Sequence, residues 1–207
     1  MDTRLALPPA SMAAAPALTT PIPLPADLPA GTKLHIGGKV RVPGWTVLNI
    51  APGPHVDILG DCSDLSAVAD QSCAIVYASH VIEHLGYDTA LLRALKEFNR
   101  VLAPGGQVMI AVPDMDILCR LFTRPDLSFV ERFQVMKMMF GGRVDAYDFH
   151  LVGLNAEFLA NYLAAAGFVE LERVREFGHF PDDCSANTFK GHSVSLNVIG
   201  RKAARAR

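Results

Sequence analysis

An α/β domain built on a mostly parallel sheet is what this sequence predicts, and two observations carry the prediction. Short apolar runs alternate with stretches of helical spacing along most of the chain, the pattern of strands joined by crossover helices. Small or polar residues follow several of those runs directly: Gly37-Gly38, Asp61 and Ser79-His80. Open parallel sheets place their ligands at such strand ends. The last two apolar runs have only loop-like sequence between them. An antiparallel edge strand is therefore expected on a sheet flanked by helices.

At 207 residues, half of them hydrophobic, the chain suffices for one domain with a substantial core. The net charge of −2 comes with no basic stripe. That removes electrostatic support for a nucleic-acid partner and leaves a small-molecule substrate as the expectation. Cys62, Cys73, Cys119 and Cys184 lie far apart with no C-x-x-C pair, which argues against a zinc knuckle and fits a reducing, cytoplasmic compartment. No apolar run approaches the roughly 18 residues of a membrane span, so no membrane partner is expected. Nothing in the sequence speaks to oligomeric state.

Residues 1–32 form a Pro/Ala-rich arm holding Pro8, Pro9, Pro16, Pro21, Pro23, Pro25 and Pro29. Proline at that density neither continues a helix nor donates to a ladder, so an extended arm is expected. Pro8, Pro9 and Pro16 would interrupt the apolar core of a signal peptide. The domain spans 33–202, and 203–207 is a basic tail.

Residues 33–36 read as a first strand and 46–50 as a second, with only nine residues between them. A parallel crossover with its helix needs about 10–12. Either that helix is lost or the two strands are not parallel neighbours. Residues 56–59 make a brief third strand. The central strand, 74–78, is an unbroken apolar run of the kind buried on both faces.

Asp88 can cap a helix to about Leu102 with a stripe of Leu91, Leu92, Leu95, Phe98 and Leu102, stopped by Pro104-Gly105-Gly106. Residues 107–112 are another buried strand, and 116–122 look helical. Phe129, Phe133, Met136 and Phe140 share one face of a further helix closed by Gly141-Gly142. Asn155 caps a helix ended by Gly167, and 168–174 and 194–199 are the last two strands.

The residues with chemical potential sit at the strand ends. His80, His84 and His150 are candidate catalytic bases, with Tyr147 and His150 in a loop that could face substrate. Asp114, after a strand, could contact substrate or cap a helix, capping being favoured for Asp116. His80-Val81-Ile82-Glu83-His84 also matches H-x-x-E-H, a zinc-hydrolase pattern if it lies within one helix. Here it straddles a strand end, so that reading is disfavoured.

The chain resembles the class I S-adenosylmethionine-dependent methyltransferases, in the type 11 branch with a shortened first crossover. The resembling pieces are LHIGG at 34–38, GW before a strand at 44–50, GDCSDL at 60–65 and ASHVIEHL at 78–85. NRVLAPGG at 99–106, VPDMDIL at 112–118, FGGRVDAYDFH at 140–150, LAAAGF at 163–168 and SLNVIGRK at 195–202 complete the set. The resemblance implies a Rossmann-like fold and S-adenosyl-L-methionine as cofactor. By position it implies that Ile36, Gly37 and Gly38 face the methionine part and that Asn49 stands where the family usually has a ribose-binding acid. It also puts Asp61 with Cys62 at the adenine edge, and Ser79 and His80 beside the methyl group. Two departures stand out, Lys39 after the glycine pair and Asn49 for the acid. They motivate the alternative of a degenerate, non-catalytic binding or scaffold protein. Some small-molecule O-methyltransferases resemble this chain in carrying Glu and His after the fourth strand with a divalent ion. His80, Glu83 and His84 could hold such an ion, but helix capping and packing are favoured for Glu83 and His84, and no metal is expected.

Overall fold

A computed structural model describes residue 24 and residues 26–204. Most of the expected 1–32 arm, and the end of the 203–207 tail, lie outside the described residues.

The chain runs β1 (Thr32–Ile36), β2 (Thr46–Asn49), β3 (Ile58–Leu59), β4 (Cys73–Ser79), α1 (Ala90–Val101) and β5 (Leu102–Pro113). It continues through α2 (Met115–Phe122), α3 (Phe129–Phe140), α4 (Ala156–Ala165) and β6 (Phe168–Val174). A small hairpin, β7 (Thr188–Phe189) and β8 (His192–Ser193), precedes β9 (Ser195–Lys202). The main sheet has seven strands in the order β3-β2-β1-β4-β5-β9-β6. The first five are parallel to their neighbours, and β9 is antiparallel to both β5 and β6. The edge strand β6 thus has antiparallel pairing, and the reversed strand is β9, one place in from the edge. Among the described residues no helix is long and apolar enough to cross a membrane.

The nine-residue connection resolves in favour of a lost helix. β1 and β2 are parallel neighbours, with Leu34 opposite Thr46 and Ile36 opposite Leu48. Residues 37–45 contain no helix. A four-residue strand advances only about 13 Å, which nine extended residues can retrace.

That loss makes the two sheet faces unlike each other. One is packed by α1 and α4, where Leu91, Leu95, Phe98, Leu159 and Leu163 meet Leu34, Ile36, Val76, Val108 and Ile110. On the other, Ile75, Tyr77, Met109 and Ala111 meet Phe177 and Phe180, with Leu24, Leu28, Val42 and Trp45 against them. These come from non-helical segments or, for Trp45, the residue before β2. His35, Trp45, Tyr77 and Phe180 form an aromatic cluster there, the His35 and Phe180 ring centroids lying 3.8 Å apart. Tyr77 donates to Asp183 Oδ1 at 2.6 Å, and Asp183 Oδ2 accepts from Gly178 N–H and Ser185 Oγ, both at 2.7 Å. One carboxylate thereby ties the 178–185 loop to the central strand.

Helix boundaries follow local chemistry, with corrections. α1 starts at Ala90 without a side-chain cap, because Asp88 Oδ1 accepts only the Thr89 N–H. It ends at Val101, and Pro104-Gly105-Gly106 lie within β5, where the register against β4 shifts. α3 begins with a reciprocal Ser128–Glu131 capping box. Its aromatic face is not buried: Phe129 is 83 % exposed, and Phe133 and Phe140 are about half exposed. The buried side carries Val135 with Met138 and Met139, against Ile117, Leu118 and Leu121 of α2.

Two predictions test the loop-covered face. Tyr77→Phe leaves Asp183 short of a donor and should lower unfolding free energy by about 1–3 kcal/mol in urea titrations. Burial pushes the His35 imidazole down to about 4, although Asp182 and Asp183 pull the other way. The unfolded chain therefore takes up that proton first as pH falls. The stability tied to a neutral His35 is complete above pH 6.5 and drains away towards pH 4. His35→Phe should flatten the stability–pH slope in that window by up to about 1.4 kcal/mol per pH unit.

Candidate active site

Because β3, β2, β1 and β4 are adjacent and parallel, the turns that leave them share one rim. At β1, Ile36 is buried and Gly37 turns the chain with φ +72°, its N–H donating to Leu48 O at 2.7 Å. The methyl of Val81 packs so closely on Gly37 that an added Cβ would meet it at 2.6 Å. This places the residue after His80 directly over the β1 turn.

At β2, Asn49 donates from Nδ2 to Gly38 O and accepts the Ala51 N–H at Oδ1, both at 3.0 Å. Its amide clamps the Gly38 turn to β2. After β3, Asp61 Oδ1 accepts the Ser63 N–H at 2.7 Å. The Cys62 thiol is buried, and burial, followed by the nearby Asp61, pushes it up to about 12. It stays a neutral thiol, so any ligand contact at this position falls to the backbone. Ser79 Oγ is buried at the end of β4 without a well-formed hydrogen bond among the described residues.

His80 takes the chain off β4 in the left-handed region, φ +53°. Such a conformation is uncommon for a side chain with a Cβ and frequent at functional sites. A 3-10 turn, Ile82–His84, follows. The two histidines of the H-x-x-E-H pattern therefore do not share a helix face. Glu83 sits between them, 1 % exposed, with neither carboxylate oxygen hydrogen-bonded among the described residues. His80 Nδ1 lies 3.3 Å from Glu83 Oε1, off the line of a hydrogen bond, and His150 Nε2 lies 4.0 Å from the same oxygen. The His84 and His150 rings meet edge-on at 4.9 Å. All three expected catalytic histidines thus surround one buried carboxylate.

Their ring protons are assigned by their partners. Ser195 Oγ gives its single proton to Cys184 O at 2.7 Å, so at 2.9 Å it can only accept from His80 Nε2. His84 Nδ1 donates to Phe149 O at 3.0 Å, and His150 Nδ1 faces Met139 O at 3.3 Å. The segment bearing His150 is held by Leu151 N–H to Glu83 O at 2.8 Å and His150 N–H to Phe140 O at 3.3 Å. Gly141, φ +88°, makes room, since a Cβ there would lie 2.5 Å from Asp148 O. Burial works against charge on Glu83, but the imidazoles of His80, His84 and His150 outweigh it and hold its carboxyl below the usual range. Burial holds the His150 imidazole below its usual range, against the pull of Glu83.

The remaining expected residues lie elsewhere. Asp114 is 2 % exposed. It caps α2 by accepting the N–H groups of Asp116 and Ile117, and pairs with Arg173 at 2.7 Å. The capping role expected for Asp116 thus belongs to Asp114, whose carboxylate is committed to protein partners. Tyr147 is half exposed on the 141–152 loop. Glu83 emerged from the sequence in the H-x-x-E-H match and in the resemblance to methyltransferases with Glu and His after the fourth strand. Ser195 had no sequence signal, being 115 residues from its partner His80.

Residues 47–110 match the family model described as a methyltransferase domain. The mouse protein named "Probable tRNA methyltransferase 9B" (Mus musculus) is 33 % identical over 114 residues, covering 50 % of this chain and 25 % of that one. The chain thus spans about a quarter of the length of this curated relative. An S-adenosylmethionine-dependent methyltransferase from Archaeoglobus fulgidus is similar in fold, at TM-score 0.54 and 13 % identity, covering 84 % of this chain and 87 % of that one. Another from Thermotoga maritima gives TM-score 0.51 at 18 % identity, with 85 % and 84 % covered. The matched segment thus runs from β2 into β5, and the chain shares the fold of these S-adenosylmethionine-dependent methyltransferases.

Proposed function

We propose that the chain transfers a methyl group from S-adenosylmethionine to a small-molecule acceptor that binds over His80, His84 and His150. The carrying observation is the gathering of these three imidazoles around Glu83 at the end of β4, next to the Gly37 turn.

The residues present fit the cofactor at its two ends. The Gly37–Gly38 turn and the buried, unpaired Ser79 hydroxyl suit the methionine part. Asp61, exposed and with one oxygen spent on Ser63, and the backbone at Cys62 suit the adenine edge. The ribose does not receive Asn49, whose amide is spent on Gly38 and Ala51. When bound, the cofactor supplies an electrophilic methyl group on a sulfonium.

The protein's own task is to orient the acceptor, exclude water and accept its proton. His150 suits the last role. Its Nδ1 faces a backbone carbonyl, which leaves Nε2 as the basic atom, and burial favours its neutral form. His80 is a positioning residue, fixed through Ser195 to the Cys184 carbonyl. Val144, Tyr147, Phe149 and Leu151 expose apolar surface on the loop that carries His150, which suits an acceptor with an apolar body. The net charge of −2 does not favour a polyanionic one.

A second reading, a binding or scaffold protein on the same fold, is favoured by the commitment of Asn49 to the loop. Calorimetry with S-adenosylhomocysteine separates the two. Micromolar binding is expected, and no heat at millimolar ligand overturns the methyltransferase reading. Asn49→Asp is expected to bring no gain in affinity. It also costs about 1–3 kcal/mol of stability, because a carboxylate cannot donate to Gly38 O. A gain of about tenfold or more in affinity would instead mark the wild-type site as degenerate.

A further inference from the structure

We propose that Glu83, His84 and His150 form a binding site for a divalent transition-metal ion of the zinc type. One ligand atom from each lies within 4.8 Å of the other two.

Three features of the geometry point to an ion. First, Glu83 is a carboxylate with 1 % exposure and two unbonded oxygens. A buried charge without hydrogen-bond partners is costly unless a cation meets it. Second, each imidazole turns its Nδ1 to a backbone carbonyl, His84 to Phe149 and His150 to Met139. Each is then left with an Nε2 lone pair. Metal-binding histidines are oriented in this way, by donating the other ring proton to a carbonyl. Third, the two rings meet at 4.9 Å and His150 Nε2 faces Glu83 Oε1 at 4.0 Å. Two lone pairs and a carboxylate converging on one spot call for a cation between them, a shared proton or a metal ion, and the arrangement of three ligand atoms suits the metal ion.

The three ligands come from the turn after β4 and from the 141–152 loop, which the Leu151 N–H to Glu83 O bond docks against that turn. His80 stays outside the ligand set because its Nε2 is tied to Ser195. Its Nδ1 lies 3.3 Å from Glu83 Oε1 without a well-formed hydrogen bond. Two imidazoles and one carboxylate select zinc or a neighbouring first-row ion over magnesium or calcium. On a tetrahedral ion with bonds of about 2.0 Å, ligand atoms stand about 3.3 Å apart, so closing on the ion takes movements of about an ångström. Such a set leaves a coordination position open. On the methyltransferase reading proposed above, and resting on it, that position takes an oxygen of the methyl acceptor; with the ion bound, His150 is a ligand and no longer the base, and the ion itself makes the bound oxygen more acidic.

The test uses untagged full-length protein. Elemental analysis after dialysis against zinc, and the visible spectrum after loading with cobalt(II), read the site without any methyl transfer. The expectation is about one ion per chain, with the absorption pattern of a low-symmetry cobalt site. Occupancy should fall below about a tenth in Glu83→Gln, His84→Ala and His150→Ala, and stay unchanged in His55→Ala, whose side chain lies outside the cluster. Circular dichroism checks that each variant folds. Should Glu83→Gln fail to fold, His150→Ala, on the separate loop, decides the matter. The proposal is overturned if wild-type protein binds neither ion, or if the three variants bind as well as wild type. Loss of the metal site with S-adenosylhomocysteine binding intact would remove this inference alone. Metal binding without binding of that nucleoside would remove the methyltransferase reading alone.

Discussion

The short passage from β1 to β2 is the constraint on which much of this molecule depends. With nine residues there is no room for a crossover helix. The sheet face that such a helix would cover must find other apolar material. Trp45, Phe177 and Phe180 supply it from loops and the approach to β2, around Tyr77 and His35. Loops carry backbone polar groups that need partners, which explains why Asp183 is saturated with hydrogen bonds beneath Tyr77. The same shortness explains Asn49. A turn with no helix behind it needs another brace, and the Asn49 amide supplies one to Gly38.

The rim chemistry has its own logic. β4 is buried on both faces up to Ala78 and then meets polar residues. The left-handed turn at His80 sends Glu83 inward, while loops 183–187 and 141–152 approach from either side. Ser195 and the Cys184 carbonyl hold His80, and Phe149 and Met139 carbonyls hold His84 and His150. Each imidazole in the cluster is held by a hydrogen bond, His80 and His84 to partners 115 and 65 residues away and His150 to Met139 on the preceding helix. Such fixing is the preorganisation that the proposed methyl transfer would require.

Periodicity identified α3 and its aromatic face, yet that face is exposed, and Val135 with the methionines makes the buried side. The spacing of apolar residues reports which side chains lie together, not what covers them. Asp114 and Asp116 show the same limit on a smaller scale. Either could cap α2 by sequence, and the end of β5 decides that Asp114 does so.

From sequence alone came the strand–helix alternation, the lost crossover helix as one of two options, and the strand-end residues of the rim. These are local properties: run length, turn residues and spacing along the chain. Tertiary structure alone decided that His150 joins His80, His84 and Glu83, that Ser195 orients His80, and that Asn49 braces a turn. Those relations link positions up to 115 residues apart. The physical reason is that a hydrogen bond or a shared lone-pair direction depends on where strand order and loop docking bring two segments, which no local pattern encodes.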